Sequence, residues 1–200
     1  MTLSNISLAL LVLVPASGAL DAHAEIKSAS SDGFVIVHSR RVSAAPGKVY
    51  AALPAIDRWW SSDHTWSGSA DNLSLKSEAG SCFCERWKDG EVEHGRVVMV
   101  LRDQLLRLQT ALGPLQGRAV TGILDFQLKP DEGAGGTATL LTLTYTVNGA
   151  AGSALDKSAT PVNGVRLYTV EVLTARNWGP RAPRLPARLS SPRGASSRSA

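Results

Sequence analysis

The fold is decided by residues 42–85, which read VSAAPGKVYAALPAIDRWWSSDHTWSGSADNLSLKSEAGSCFCE. Pro46 predicts the start of a short helix, because the backbone donor that proline lacks would be unpaired in the first helical turn anyway. Pro54 bends or ends that helix and leaves residues 56–60 as a second short piece. After the tryptophan pair at its end, a strand is predicted from Cys82.

Alternating apolar residues predict that most of the remaining body is β-strand. Residues 137–147 give the clearest case, with threonines on the solvent face and a core face made of Leu141, Leu143, Tyr145 and Val147. Residues 120–128 alternate in the same way and include Phe126. The Asp-, Gly- and Pro-rich residues 129–136 then predict the turn of an antiparallel hairpin.

Four further strand segments are predicted upstream. Residues 91–101 pair with residues 105–111 across a three-residue turn. Residues 82–87 pair with the strand that follows Lys88-Asp89-Gly90, in which Asp-Gly is a strong turn signal. Residues 33–43 open the domain as a strand, so the order of elements is that of an α+β protein.

The order of these motifs resembles the START-like superfamily, also called SRPBCC or helix-grip proteins. The resemblance rests on Ala45-Pro46-Gly47-Lys48-Val49-Tyr50, Trp59-Trp60 and Gly80-Ser81-Cys82-Phe83-Cys84-Glu85. The pattern looks like the branch of the heat-shock-protein ATPase activator homologues and the polyketide cyclase/dehydrases. It implies an α+β helix-grip fold, in which a curved antiparallel sheet wraps around a C-terminal helix, with two short helices after the first strand. A hydrophobic cavity would then lie between the sheet and that helix.

The C-terminal region departs from the family pattern. A Gly-rich loop at residues 148–152 precedes a helical stretch at residues 155–165, as the resemblance implies. Beyond it, residues 177–200 hold Gly, Pro, Arg and Ser without a core-forming pattern. A natural disordered tail and a shifted reading frame both explain this composition. We assign residues 25–175 to the START-like domain and residues 176–200 to a disordered basic Pro/Arg-rich tail.

Residues 1–24 are interpreted as an export signal. An apolar run at residues 6–14 has the length of a signal core, and Ala22-His23-Ala24 is a small-x-small cleavage site. The run is too short to span a bilayer, so no membrane-spanning segment is expected after signal removal. We therefore predict a periplasmic or secreted protein, with a cytoplasmic location if the signal interpretation is wrong.

The basic charge of the chain lies in its tail. The formal net charge of +4 comes from 21 basic and 17 acidic residues. Six of the arginines fall within residues 176–200, which hold no acid, so the remaining 15 basic residues face 17 acidic ones. This body lacks the positive patch of a nucleic-acid-binding protein, and no nucleic-acid partner is predicted. No cofactor is predicted either, because the sequence has no phosphate-binding loop or dinucleotide fingerprint.

Cys82 and Cys84 lie two residues apart on a predicted strand, so their side chains share one face. We interpret them first as two packed thiols, because a disulfide between such near neighbours on a regular strand would be strained. A labile redox pair and a metal site are the alternatives. No metal is predicted, because none of the histidines stands at ligand-like spacing to the thiols.

Glu85 and His94 are the candidates for catalysis. A carboxylate flanked by aromatic residues can act as an acid, and His94 on the next strand could face Glu85 or Cys84 across the hairpin. The alternatives are a carboxylate in an ordinary ion pair and a histidine with a structural hydrogen bond.

Trp60, Trp66, Phe126 and Tyr145 are the predicted ligand-binding residues. In the family that the chain resembles, the tryptophan loop forms the rim of the cavity mouth, where aromatic side chains would hold an apolar molecule. We therefore favour the binding of a small hydrophobic or aromatic molecule. A polyketide cyclase/dehydrase-like enzyme is the alternative, and so is an activator of an ATPase, against which the export signal argues. The fold hosts all three functions and does not choose among them.

Overall fold

The computed structural model describes residues 23–162. Their body is one sheet of eight strands in the spatial order β1-β2-β8-β7-β6-β5-β4-β3, with antiparallel pairing between all neighbours. The strands are β1 His23–Ser30, β2 Gly33–Val42, β3 Leu73–Ser74, β4 Cys82–Trp87, β5 Gly90–Leu101, β6 Leu105–Thr110, β7 Val120–Pro130 and β8 Thr139–Gly149. The sheet curves, and register shifts interrupt three of its ladders, as expected because β-bulges bend and twist strands.

Short helices fill the long connection between β2 and β3. They are α1 Pro46–Ala52 and α2 Ile56–Trp59, followed by 3-10 turns at Ser62–His64 and Ala70–Asn72. The proline near the start of α1 and the end of that helix before Pro54 agree with the sequence prediction. The two short helices follow the second strand rather than the first, because β1 precedes the strand that the sequence indicated.

The core lies on the inner face of the sheet. The inward-facing apolar residues of β8 are at most 2% exposed, and those of β7 and β6 pack beside them as the strand alternation predicts. From the other side, α1, α2 and the residue that follows α1 contribute to the same core Val49, Leu53, Ile56 and Trp59. The Trp59 ring meets Phe126 edge to face at 6.1 Å, and its Nε1 donates to the carbonyl oxygens of Ala52 and Leu53 at 3.2 Å. The helical segment is thereby fixed to the sheet.

The segment after β8 begins the predicted C-terminal helix. Residues 156–162 are helical. Leu155 and Ala159 are buried in the core and Val162 packs against it, which is the i, i+4, i+7 spacing of an amphipathic helix. The rest of the predicted helix and the tail at residues 176–200 lie outside the described residues.

The predicted α+β antiparallel sheet is confirmed. The hairpins at Asp89-Gly90, at residues 102–104 and at residues 131–138 join the strands that the sequence predicted. Of the proposed signal at residues 1–24, only the last two residues are described, and they begin β1, opposite Ser39 and His38. Within residues 23–162, no helix has the length and apolar character needed to cross a membrane.

Candidate functional site

A buried carboxylate organises the polar corner of the inner face. Glu85 is 0% exposed and accepts three N–H hydrogen bonds. The backbone N–H of Trp66 donates to it at 3.0 Å, that of Ser67 at 2.5 Å, and His94 Nε2 lies 2.9 Å from its Oε2. Glu85 therefore ties the loop between α2 and β3 to the strand pair β4–β5.

His94 lies at a bulge in β5, beside Glu85. Phe83 pairs with Gly95 but Cys84 pairs with Glu93, so His94 is the extra residue in this ladder. Val92, two residues earlier, pairs with Glu85, so strand alternation places His94 on the same inner face, where it is 3% exposed. Its ring stacks on Phe83 at 4.8 Å between centroids. The sequence placed Glu85 and His94 within reach, and the structure joins them.

At neutral pH, one ionisable group of this pair is charged and the other is neutral. Burial raises the pKa of the Glu85 carboxyl, but the hydrogen bonds from Ser67, Trp66 and His94 outweigh it and leave that pKa below its ordinary 4.5. Burial lowers the pKa of His94 below 6.5, and the hydrogen bond and charge of Glu85 offset only part of this effect. At neutral pH, Glu85 is an anion and His94 is a neutral imidazole that donates from Nε2.

Acid is expected to destabilise the fold through this pair. The folded pKa of His94 is below 6.5, so the unfolded chain takes up its proton first, and stability falls as the pH drops below about 6.5. The folded pKa of Glu85 is also depressed, so a second loss begins below about 4.5. Urea unfolding between about pH 8 and about pH 5 should show the first loss, and His94→Gln should reduce it. His64→Gln, in an exposed turn, is the control. Wild-type stability that stays constant over this range would contradict the role of His94.

Two tryptophans and a glutamine lie near the Glu85–His94 pair. We call this group the rim, and it consists of Trp60, Trp66 and Gln116. Trp60 is half-buried, its ring meets Phe83 edge to face at 5.4 Å, and its Nε1 donates to the carbonyl oxygen of His64. The Trp66 side chain is 57% exposed, and its Nε1 donates to Gln116 Oε1 at 3.1 Å. Gln116 in turn donates to the backbone oxygen of Glu93 at 2.8 Å. The rim therefore connects three separate segments of the chain.

An open hollow of about 560 Å³ lies beside the rim. It lies beyond the end of β6, between β5 and the start of β7. Its lining mixes polar and apolar groups and includes Glu93, His94, Gln109, Thr110, Gln116 and Val120. A molecule in this hollow would contact the rim through Gln116.

Phe126 and Tyr145 lie deeper than the rim. They are 2% and 0% exposed, and the Tyr145 ring meets Phe34 edge to face at 6.0 Å. The Tyr145 hydroxyl accepts the backbone N–H of Leu112 at 3.0 Å. Of the four predicted ligand-binding residues, the structure thus places two at the rim and two in the packed core.

The cysteines require a correction. Cys82 and Cys84 are joined in a disulfide, so the interpretation as two packed thiols is wrong for this structure. The argument against a disulfide assumed a regular extended strand. Here the Cα atoms are 5.3 Å apart, within the usual range for disulfides, at the register shift beside the β5 bulge. The Glu93 carboxylate lies close to both sulfurs, and these three residues form a group with metal-ligating atoms.

Sequence reasoning missed several polar residues near this site. Ser67 and Gln116 are in loops, and no periodic signal indicates what a loop residue contacts. His38 is 2% exposed on the inner face, and its alternation with Phe34 and Ile36 could have revealed that position. The Tyr50 hydroxyl is buried in the core without a hydrogen-bond partner.

Comparison with known proteins identifies the fold. No family model matches the chain, and no curated protein matches it. It is similar to the crystal structure of MLL2253 from Mesorhizobium loti, with a TM-score of 0.51 and 19% identity over 70% of this chain and 94% of that one. It is also similar to CalU16 from Micromonospora echinospora, with a TM-score of 0.50 and 12% identity over 77% of this chain and 81% of that one.

A conserved protein of unknown function, EF2215 from Enterococcus faecalis, gives a similar result. Its TM-score is 0.50 at 15% identity, covering 78% of this chain and 79% of that one. The described part of the chain therefore shares the fold of these solved structures, an α+β fold with a large curved antiparallel sheet and few helices.

Proposed function

We propose that this protein binds a small hydrophobic or aromatic molecule between the inner face of the sheet and the C-terminal helix. The rim carries the proposal, because Trp66 is a large aromatic side chain at 57% exposure whose backbone and indole are both hydrogen-bonded. Exposed aromatic groups with a polar N–H are suited to gripping an apolar molecule at the boundary with water. The apolar inner face of the sheet supports the same function.

The rim is also preorganised. Glu85 holds the backbone of Trp66 and Ser67 through two hydrogen bonds, and Gln116 holds the indole. A binding group that is already fixed loses less conformational freedom when a ligand arrives, so more of its contact energy appears as affinity. In this proposal Glu85 is a positioning residue for the rim.

Trp66→Ala is expected to weaken the binding of an apolar fluorescent probe such as ANS by about 1–3 kcal/mol, because the lost indole is a large apolar contact. Fluorescence titration of the full chain measures it. Leu140→Ala is the matched control, since Leu140 is an exposed apolar residue at 42% on the outer face of β8. Equal losses in the two variants, or none in Trp66→Ala, would contradict the role of the rim.

The second candidate is a cyclase/dehydrase-like enzyme, favoured by the 2.9 Å contact between His94 and Glu85. An anionic carboxylate that fixes the tautomer of a neutral histidine is a common arrangement for a general base. Glu85 would accept the hydrogen bond from the His94 ring N–H, and His94 would take the proton from the substrate. The two functions differ in what happens to the ligand. A carrier returns it unchanged, whereas a dehydrase returns it without a molecule of water, which mass spectrometry of the recovered ligand distinguishes.

We extend the proposal to the branch and the location. The motifs at residues 45–50, 59–60 and 80–85 support the branch of ATPase activator homologues and polyketide cyclase/dehydrases. The disulfide supports export, because disulfides persist in oxidising compartments. Mass measurement of the mature protein would test export, with residues 1–24 absent if the signal is cleaved.

A further inference from the structure

We propose that Cys82, Cys84 and Glu93 form a redox-gated binding site for a thiophilic divalent cation such as Zn²⁺. In the structure one ligand atom from each residue lies within 4.8 Å of the other two, which is close enough for all three to meet one ion. The disulfide closes the site, and its reduction supplies two thiolates. The site adjoins the rim, since Gln116 donates to the backbone oxygen of Glu93, but it uses other side chains and does not depend on the proposed ligand binding.

The fold places these residues on one face. Side chains two apart on a strand point to the same side, which sets Cys82 beside Cys84. Across the β4–β5 ladder, Cys84 pairs with Glu93 and Cys82 pairs with Arg96. The bulge at His94 puts Glu93 and Arg96, three residues apart, on this same outer face.

The charges suit a divalent cation. Two thiolates and one carboxylate bring three negative charges together. The Arg96 guanidinium donates to the Glu93 carboxylate at 2.5 Å and supplies one positive charge, so two negative charges remain for the ion to neutralise. Sulfur ligands select soft or borderline ions such as Zn²⁺ and Cd²⁺ over Mg²⁺ and Ca²⁺. Three protein ligands leave one position of a tetrahedral ion open.

The reaction that opens the site balances with an external dithiol. Cys82 is partly exposed and Cys84 is 5% exposed, so a dithiol thiolate attacks the Cys82 sulfur and releases the Cys84 thiolate. The second thiol of the reagent then attacks the reagent's first sulfur, which is bonded to Cys82 in the mixed disulfide, and releases the Cys82 thiolate. The dithiol gives up two electrons and becomes a disulfide, and the cation binds the thiolates in place of protons.

This inference departs from the sequence prediction that no metal binds. That prediction counted histidines near the cysteines and found none at suitable spacing. The third ligand is instead a carboxylate from the facing strand, where Glu93 pairs with Cys84.

The test uses the full chain, oxidised or reduced with a phosphine. Each phosphine takes up the oxygen of one water molecule as the disulfide becomes two thiols. After removal of the reagent without air, Cd²⁺ is titrated and the ultraviolet thiolate-to-cadmium charge-transfer band is followed. The reduced protein should give the band with a single equivalent of Cd²⁺, Zn²⁺ should displace it, and the oxidised protein should give none. No band after reduction, or equal binding by both forms, would overturn the site.

Variants assign the ligands. Cys82→Ser and Cys84→Ser should abolish the band, and Glu93→Gln should weaken Cd²⁺ binding at least about tenfold. Glu91→Gln is the matched control, because Glu91 is an exposed acid on the same strand whose partner is Arg86. Equal affinities in Glu93→Gln and Glu91→Gln would remove Glu93 from the site. Thermal melts check folding, and the comparison of oxidised with reduced wild type decides the case if a cysteine variant does not fold.

Discussion

Glu85→Ala should lower the free energy of unfolding by about 3–5 kcal/mol, because the buried carboxylate that it removes accepts two part-buried backbone N–H groups and the buried N–H of His94. Trp66 and Ser67 would keep their backbone donors without a partner, and His94 would lose the carboxylate that fixes its tautomer. Glu85→Gln should lower the free energy of unfolding by less, because its amide oxygen still accepts a hydrogen bond. Some loss remains, because its NH₂ group then faces N–H donors. Urea unfolding at neutral pH measures both changes.

Glu91→Ala is the control for the charge itself. Glu91 is on the same hairpin and pairs with Arg86, but both side chains are exposed, so its loss should change stability by no more than about 0.5 kcal/mol. If Glu85→Ala is as mild as Glu91→Ala, the three hydrogen bonds do not hold the loop. Its main role would then be as the carboxylate partner of His94 in the enzyme alternative.

The position of Glu85 decides which variant can test the enzyme alternative. Because Glu85 supports the rim through the backbone, a variant at Glu85 can lose ligand binding without any acid/base role. His94→Gln is the better variant for the enzyme alternative, since its amide can still donate to Glu85 while it cannot act as a base near neutral pH. Loss of turnover with unchanged probe affinity in this variant would favour the enzyme.

The sequence predicted the sheet well where each strand carried its own signal. Leu141, Leu143, Tyr145 and Val147 alternate with threonines, and the Asp-Gly turn fixed the β4–β5 hairpin, which was enough to bring His94 near Glu85. β1 was not identified because its residues are mostly polar, and only Ile26 packs against the core. An edge strand of this kind is held mainly by its ladder, which composition does not reveal.

The site was predicted less completely because its contacts come from loops and from a bulge. Nothing in the sequence near Ser67 or Gln116 indicates that one donates to Glu85 and the other to β5. The bulge at His94 also changes which residues share a face beyond it, so it places Arg96 opposite Cys82 and on the same outer face as Glu93. Local periodicity cannot predict such an insertion, because it assumes a regular strand.

Tyr145→Ala and Phe126→Ala are expected to destabilise the fold by about 3–5 kcal/mol each, because each removes a fully packed aromatic ring. Gly122 shows how closely the Tyr145 ring fits, since a Cβ there would come within 2.8 Å of its Cε2. Tyr145→Phe keeps the ring but leaves the Leu112 N–H without its acceptor, and should cost about 1–3 kcal/mol.

Trp66→Ala completes this comparison, because its exposed side chain should change stability by no more than about 0.5 kcal/mol while it lowers probe affinity. Urea unfolding and ANS titration on the same samples separate the two effects. The core variants should lose stability first, and the rim variant should lose affinity alone. A Tyr145→Ala protein that remains as stable as wild type but no longer binds the probe would show that this ring lines the ligand site, and the boundary between core and site would then lie deeper than the rim.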